Sequence, residues 1–223
     1  MENPTQTYYL IAVSFIVYFI ISYAYKNLKI QNIEEALLIK KGLILINLKH
    51  VLGIILFGVI FYLITPEYRY LITTFEIPEL NILLLILVVI FISGLLAFKS
   101  VKKNLKNKTE RSQYDHTQGW KYFLIRVVFL FAYEFFFRGV LLFTLIETNG
   151  LLTAIIICTS LYVLIHIFDS KAEILGAIPF GIVLCLFSYF TNNIWAAFII
   201  HITLSGVYEV SMFKYLTLKT NKS

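Results

Sequence analysis

Seven long apolar stretches run through this chain, at 8–25, 51–65, 82–98, 120–146, 151–168, 174–190 and 194–213. Crossing the hydrocarbon core of a bilayer takes about 20 apolar residues per helix. Lipid offers no partner for backbone amides, so only helices or closed barrels can cross it. Barrel strands alternate over segments of about ten residues, whereas these runs are continuous. The expected fold is therefore all-α, a polytopic transmembrane helix bundle of seven spans. A hydrophobic content of 59% and a mean hydropathy of +0.81 exclude a disordered chain, a secreted disulfide scaffold and a free-standing nucleic-acid binder. Phenylalanine (20) and tyrosine (15) supply packing bulk and interfacial belts. Cys158 and Cys185 lie inside apolar runs and read as small hydrophobes rather than redox groups.

Nineteen Lys and Arg against 13 Asp and Glu give a net charge of +6, and their positions matter more than their number. Lys26, Lys29, Lys40 and Lys41 follow the first stretch, and Lys99, Lys102, Lys103, Lys106, Lys108 and Arg111 follow the third. Lys214, Lys219 and Lys222 close the chain, and the alternate connections are short or acidic. Basic connections stay in the cytoplasm, which predicts an outer N-terminus and a cytoplasmic C-terminus. The run 99–111 is thus a topology signal before it is a lipid-binding patch, and no nucleic-acid partner is expected. It suggests a division into an N-terminal three-helix region (1–98), a basic linker (99–119), a four-helix core (120–213) and a tail (214–223). The Ile-, Lys-, Phe- and Asn-rich composition suggests an AT-rich bacterial genome and hence the cytoplasmic membrane.

A charge held at the bilayer centre costs about 2.5–3.5 kcal/mol or more, so an ionisable residue there faces a partner or a wet cavity. Arg126, Glu134, Arg138, His166, His201 and Glu209 all fall in the last four stretches, which is where chemistry is expected. Glu134 and Arg138 are four apart and share a helical face, as an ion pair would. Arg126 lies near enough to the cytoplasmic end to snorkel, and Glu209, eight residues after His201 on nearly the same face, is expected to approach the interface, with support of His201 as the alternative. Of the four histidines, His50 and His116 read as solvated, at a helix end and in a polar loop. His166 and His201 fall within spans. With Glu134 they could activate water by general-base catalysis, or hold a metal as a His₂Glu set.

These residues also stand in an order that resembles the CPBP family (CAAX protease and bacteriocin-processing, also called Abi) of intramembrane endopeptidases. That family carries EExxxR on one helix, FxxxH on the next and HxxxN on a later one. Here Tyr133-Glu134-xxx-Arg138, Tyr162-xxx-His166 and His201-xxx-Ser205 occur in sequence. The resemblance covers about residues 120–213. It implies cleavage of a peptide bond in a membrane-associated peptide or protein, with Glu134 and His166 as bases, His201 as the oxyanion donor and Arg138 as a structural partner. It implies no cofactor, with zinc held by Glu134, His166 and His201 as the alternative. Tyr133 stands where the first motif glutamate would be, and Ser205 replaces the asparagine. The first departure leaves open a second reading, a catalytically impaired relative that binds a membrane peptide or serves as an immunity protein. A third reading, a small proton-coupled transporter, lacks the paired broken segments that internal repeats leave.

Overall fold

A computed structural model describes residues 4–105 and 112–218. Lys106, Lys108 and Arg111 of the basic linker, and Lys219 and Lys222 of the tail, lie outside the described residues. Among those described there is no strand, and seven helices are long and apolar enough to cross a membrane: Thr5–Asn27, Gly42–Ile64, Leu80–Leu105, Thr117–Asn149, Leu151–Phe168, Lys171–Thr191 and Trp195–Leu218. The chain is a multi-pass, all-α membrane protein.

The second span begins at Gly42 rather than at residue 51, because Asn47, Lys49 and His50 depress the local hydropathy without ending the helix. Lys49 and His50 are buried within the protein, so their polarity does not meet lipid. Before this span a short helix, Ile33–Leu38, is capped by the Asn32 side chain, which accepts from the Glu35 amide. Gly42 lets the chain fold back onto it, since a Cβ there would come within 2.1 Å of the Ala36 carbonyl oxygen.

The fourth span is the axis of the bundle. It is 33 residues long, and 83% of its most apolar window is buried, against 17–39% for the other six. At 1.5 Å per residue it extends to about 50 Å, well beyond the hydrocarbon core of about 30 Å. Its residues Phe135–Leu141 are wound as a π-helix, as are Ile55–Val59 of the second span. The two segments face each other, with Phe57 stacked on Phe136 at 4.4 Å between centroids. Small residues permit the approach, for a Cβ on Gly58 would lie 2.8 Å from that of Ala132. Close packing through small residues is how helices associate where lipid removes the hydrophobic drive.

Two sharp turns order the remaining spans. Gly150, at φ 78°, joins the fourth to the fifth in a backbone conformation that favours glycine. The fifth ends in a 3₁₀ turn, His166–Phe168, and the sixth starts from a reciprocal capping box between Ser170 and Glu173.

Candidate active site

A cavity of about 610 Å³ opens among the spans toward the face that carries the basic connections. Its size is that of a small-molecule or peptide site. From the fourth span it is lined by Tyr122, Arg126, Phe129, Leu130 and Tyr133, and from the seventh by His201, Leu204, Ser205, Tyr208 and Glu209. Helical geometry explains the first set. At 100° per residue, Tyr133 lies about 20° from Arg126 around the helix, whereas Glu134 lies about 80° away. Tyr133 therefore presents to the cavity, and Glu134 sits behind its wall, fully buried. Arg138 is equally buried behind the wall.

Two histidines reach the cavity, each held by a carboxylate. His201 Nδ1 lies 2.5 Å from Glu134 Oε1, and His166 Nδ1 lies 2.7 Å from Asp169 Oδ2. A carboxylate only accepts, so each Nδ1 carries the proton in these bonds and Nε2 is left for other work. His166 Nε2 is buried with no partner among the described residues. Tyr162 stands between the two imidazoles, its ring 4.8 Å from that of His166 and 6.4 Å from that of His201. These contacts keep the histidines closer than the roughly 12 Å beyond which one water or carbonyl could not be shared. Tyr133 packs 6.0 Å from the His201 ring, and its hydroxyl has no partner among the described residues.

Glu134 and Arg138 do form an ion pair, with Oε2 to Nε at 3.4 Å. The guanidinium also lies over the Tyr162 ring at 4.2 Å, a cation–π contact strengthened by desolvation. Arg138 thus braces both Glu134 and Tyr162, although it does not touch the cavity. The π-helical winding begins one residue after Glu134, and such segments recur at functional sites.

Of the six site residues expected from sequence, Tyr133, His166, His201 and Ser205 line the cavity, and Glu134 and Arg138 stand behind it. Other positions differ from expectation. Glu209 is buried rather than interfacial: its Oε1 takes Arg126 Nε and Nη2 at 2.9 and 2.8 Å, and its Oε2 accepts from the Tyr122 hydroxyl at 2.8 Å. Arg126 is therefore ion-paired within the protein and does not snorkel. His50 is not solvated but stacked on Phe129 at 4.8 Å and in the cavity wall, beside Lys49. Polar chemistry thus extends into the second span. Asp169 went unassigned, although a carboxylate three residues after an intramembrane histidine was the available signal.

Among the described residues no three His, Cys, Asp or Glu side chains converge as a metal-binding group. Glu134 Oε1 is taken by His201 Nδ1 and its Oε2 faces Arg138, so the Glu134–His166–His201 donor set does not suit zinc.

The sequence model of the family described as type II CAAX prenyl endopeptidase Rce1-like matches residues 116–207. That segment, which holds both histidine–carboxylate pairs, is thus similar to the CAAX-protease domains of the CPBP family. Neither the curated proteins nor the solved structures contain a match to the chain.

Proposed function

We propose that this protein is an intramembrane endopeptidase that hydrolyses a membrane-associated peptide or protein in the cavity between His166 and His201. The observation that carries this reading is the pair of carboxylate-held imidazoles opening onto one cavity within the Rce1-like segment. In this reading Asp169 fixes the His166 tautomer, and His166 Nε2 takes a proton from water as the resulting hydroxide adds to the scissile carbonyl. The Tyr133 hydroxyl donates to the oxyanion that forms. His201, held through Nδ1 by Glu134, offers Nε2–H to the same oxygen when doubly protonated. The proton on His166 then passes to the departing amide nitrogen, and the carbonyl–nitrogen bond breaks. Glu134 acts in this scheme through His201 rather than as the base, because it does not reach the cavity.

The basic face is the cytoplasmic one in this account, which places the mouth of the cavity on the cytoplasmic side. A second reading, peptide binding without cleavage, is favoured by one feature, the absence of a carboxylate at position 133. The two are separated by comparing the C-termini of membrane peptides in cells producing the wild-type chain or His166→Ala/His201→Ala at matched abundance. The peptidase reading expects a discrete set of C-termini that disappears in the double variant. Identical sets in the two strains would favour the binding reading.

A further inference from the structure

At the basic end of the cavity, two lining residues each carry a hydrogen-bond donor with no acceptor among the described residues. Lys49 is 6% exposed and lines the cavity. Among the described residues it has no hydrogen bond or ion pair, and its ammonium lies 5.9 Å from the centre of the Tyr25 ring, near the limit of a cation–π contact. A lysine enclosed in this way is favoured by an anion in the cavity beside it. The carboxylates sharing the cavity are otherwise engaged. Glu209 is taken by Arg126 and Tyr122, Asp169 by His166, and Glu173 by the Ser170 amide.

The second donor is His50, adjacent in sequence and 4% exposed. Arg126 Nη1 approaches its Nε2 to 3.5 Å. A guanidinium only donates, so Nε2 accepts and the ring proton sits on Nδ1. That Nδ1 is buried with no partner among the described residues. Rings link this end to the candidate centre, from His50 to Phe129 at 4.8 Å, to Tyr133 at 5.6 Å and to His201 at 6.0 Å. One occupant of the cavity can therefore touch both ends.

We propose that Lys49 and His50 form a carboxylate subsite that anchors the peptide whose bond lies between the two histidines. The proposal rests on the peptidase reading for the identity of its ligand. Two donors, one of them cationic, match the two oxygens of a monoanion. A dianionic phosphate would add its second charge beside Glu209, whose own charge is already balanced by Arg126. Both residues lie outside the segment 116–207 matched by the family, so the subsite is a contribution of the N-terminal helices to substrate choice. The carboxylate is either the C-terminus of the peptide or an acidic side chain.

The test uses the full-length chain in lipid nanodiscs and an apolar tetrapeptide bearing an N-terminal benzophenone. The probe is made as the free acid, as the C-terminal amide, and as an amide whose last residue is glutamate. Photolabelling is followed against probe concentration and does not depend on turnover, so a chain that binds without cleaving still answers the question. The free acid should reach half-maximal labelling at a concentration at least tenfold below the plain amide. Lys49→Met should erase that preference while leaving labelling by the amide unchanged. His50→Phe keeps the stack on Phe129 and removes the ring donor, and should reduce the preference about threefold, so the inference does not depend on one variant folding. If the glutamate amide labels like the free acid, a side-chain carboxylate suffices; if it labels like the plain amide, the C-terminus is what is read. Equal labelling by acid and amide in the wild type would overturn the subsite, as would a preference that survives Lys49→Met.

Discussion

Glu134→Gln is the substitution whose outcome the geometry constrains most. The change keeps the side-chain shape and removes one charge from a pair that is fully buried, leaving Arg138 against the Tyr162 and Phe137 rings. Removing one partner of a buried ion pair typically costs about 3–5 kcal/mol, because the other charge is stranded. Arg138→Met alone strands Glu134 and should cost a similar amount. The double variant strands neither charge, so its loss should fall at least about 4 kcal/mol short of the summed single losses of about 6–10 kcal/mol. A residual deficit of about 1–2 kcal/mol should remain, since the charged acceptor for His201 Nδ1 is still lost. Unfolding free energies of the four proteins, measured by steric trapping in bicelles, give the coupling directly. Additivity within about 0.5 kcal/mol would refute the pair. The same cycle separates support from chemistry, because the double variant should regain stability without regaining cleavage.

Asp169→Asn removes the anion that holds His166 in its tautomer, and should lower kcat about 10²- to 10⁴-fold with little change in KM; an unchanged kcat would exclude His166 as an Asp169-oriented base. Tyr133→Phe keeps the ring packing and deletes the unpartnered hydroxyl, so kcat should fall about 10²-fold or more while thermal stability holds; activity equal to wild type would remove Tyr133 from the oxyanion site. For topology, a cysteine at Lys40 should react with an impermeant maleimide only from the cytoplasmic side, and one at Glu76 only from the outside. The native Cys158 and Cys185 are buried and give little background. Reversed labelling would invert the orientation.

The seven spans were legible because burial in lipid demands continuous apolarity, which hydropathy reads directly. The start of the second span was not. Asn47, Lys49 and His50 look like a helix end when every polar residue is assumed to face solvent, yet Lys49 and His50 line an internal cavity. The same assumption misplaced Glu209 and Arg126, which satisfy each other across two helices far apart in sequence. Motif spacing singled out residues that the fold gathers about one cavity, but not which of them face it. A seven-residue step from Arg126 selects Tyr133 for the cavity face, whereas an eight-residue step to Glu134 moves about 80° around the helix. The π-helical winding after Glu134 left no trace in the pattern, since several aromatics in succession suit an α-helix as well.

The central claim is that two carboxylate-held histidines make this cavity hydrolytic. The most direct measurement is incubation of the purified full-length chain, in liposomes, with a pool of membrane-anchored peptides in ¹⁸O-labelled water, followed by mass spectrometry. The wild-type protein should yield new C-termini that each carry one ¹⁸O, and His166→Ala or His201→Ala should yield none. Products formed equally by the wild type and the two histidine variants would contradict it, as would a folded wild-type protein that binds the peptides and releases them uncut.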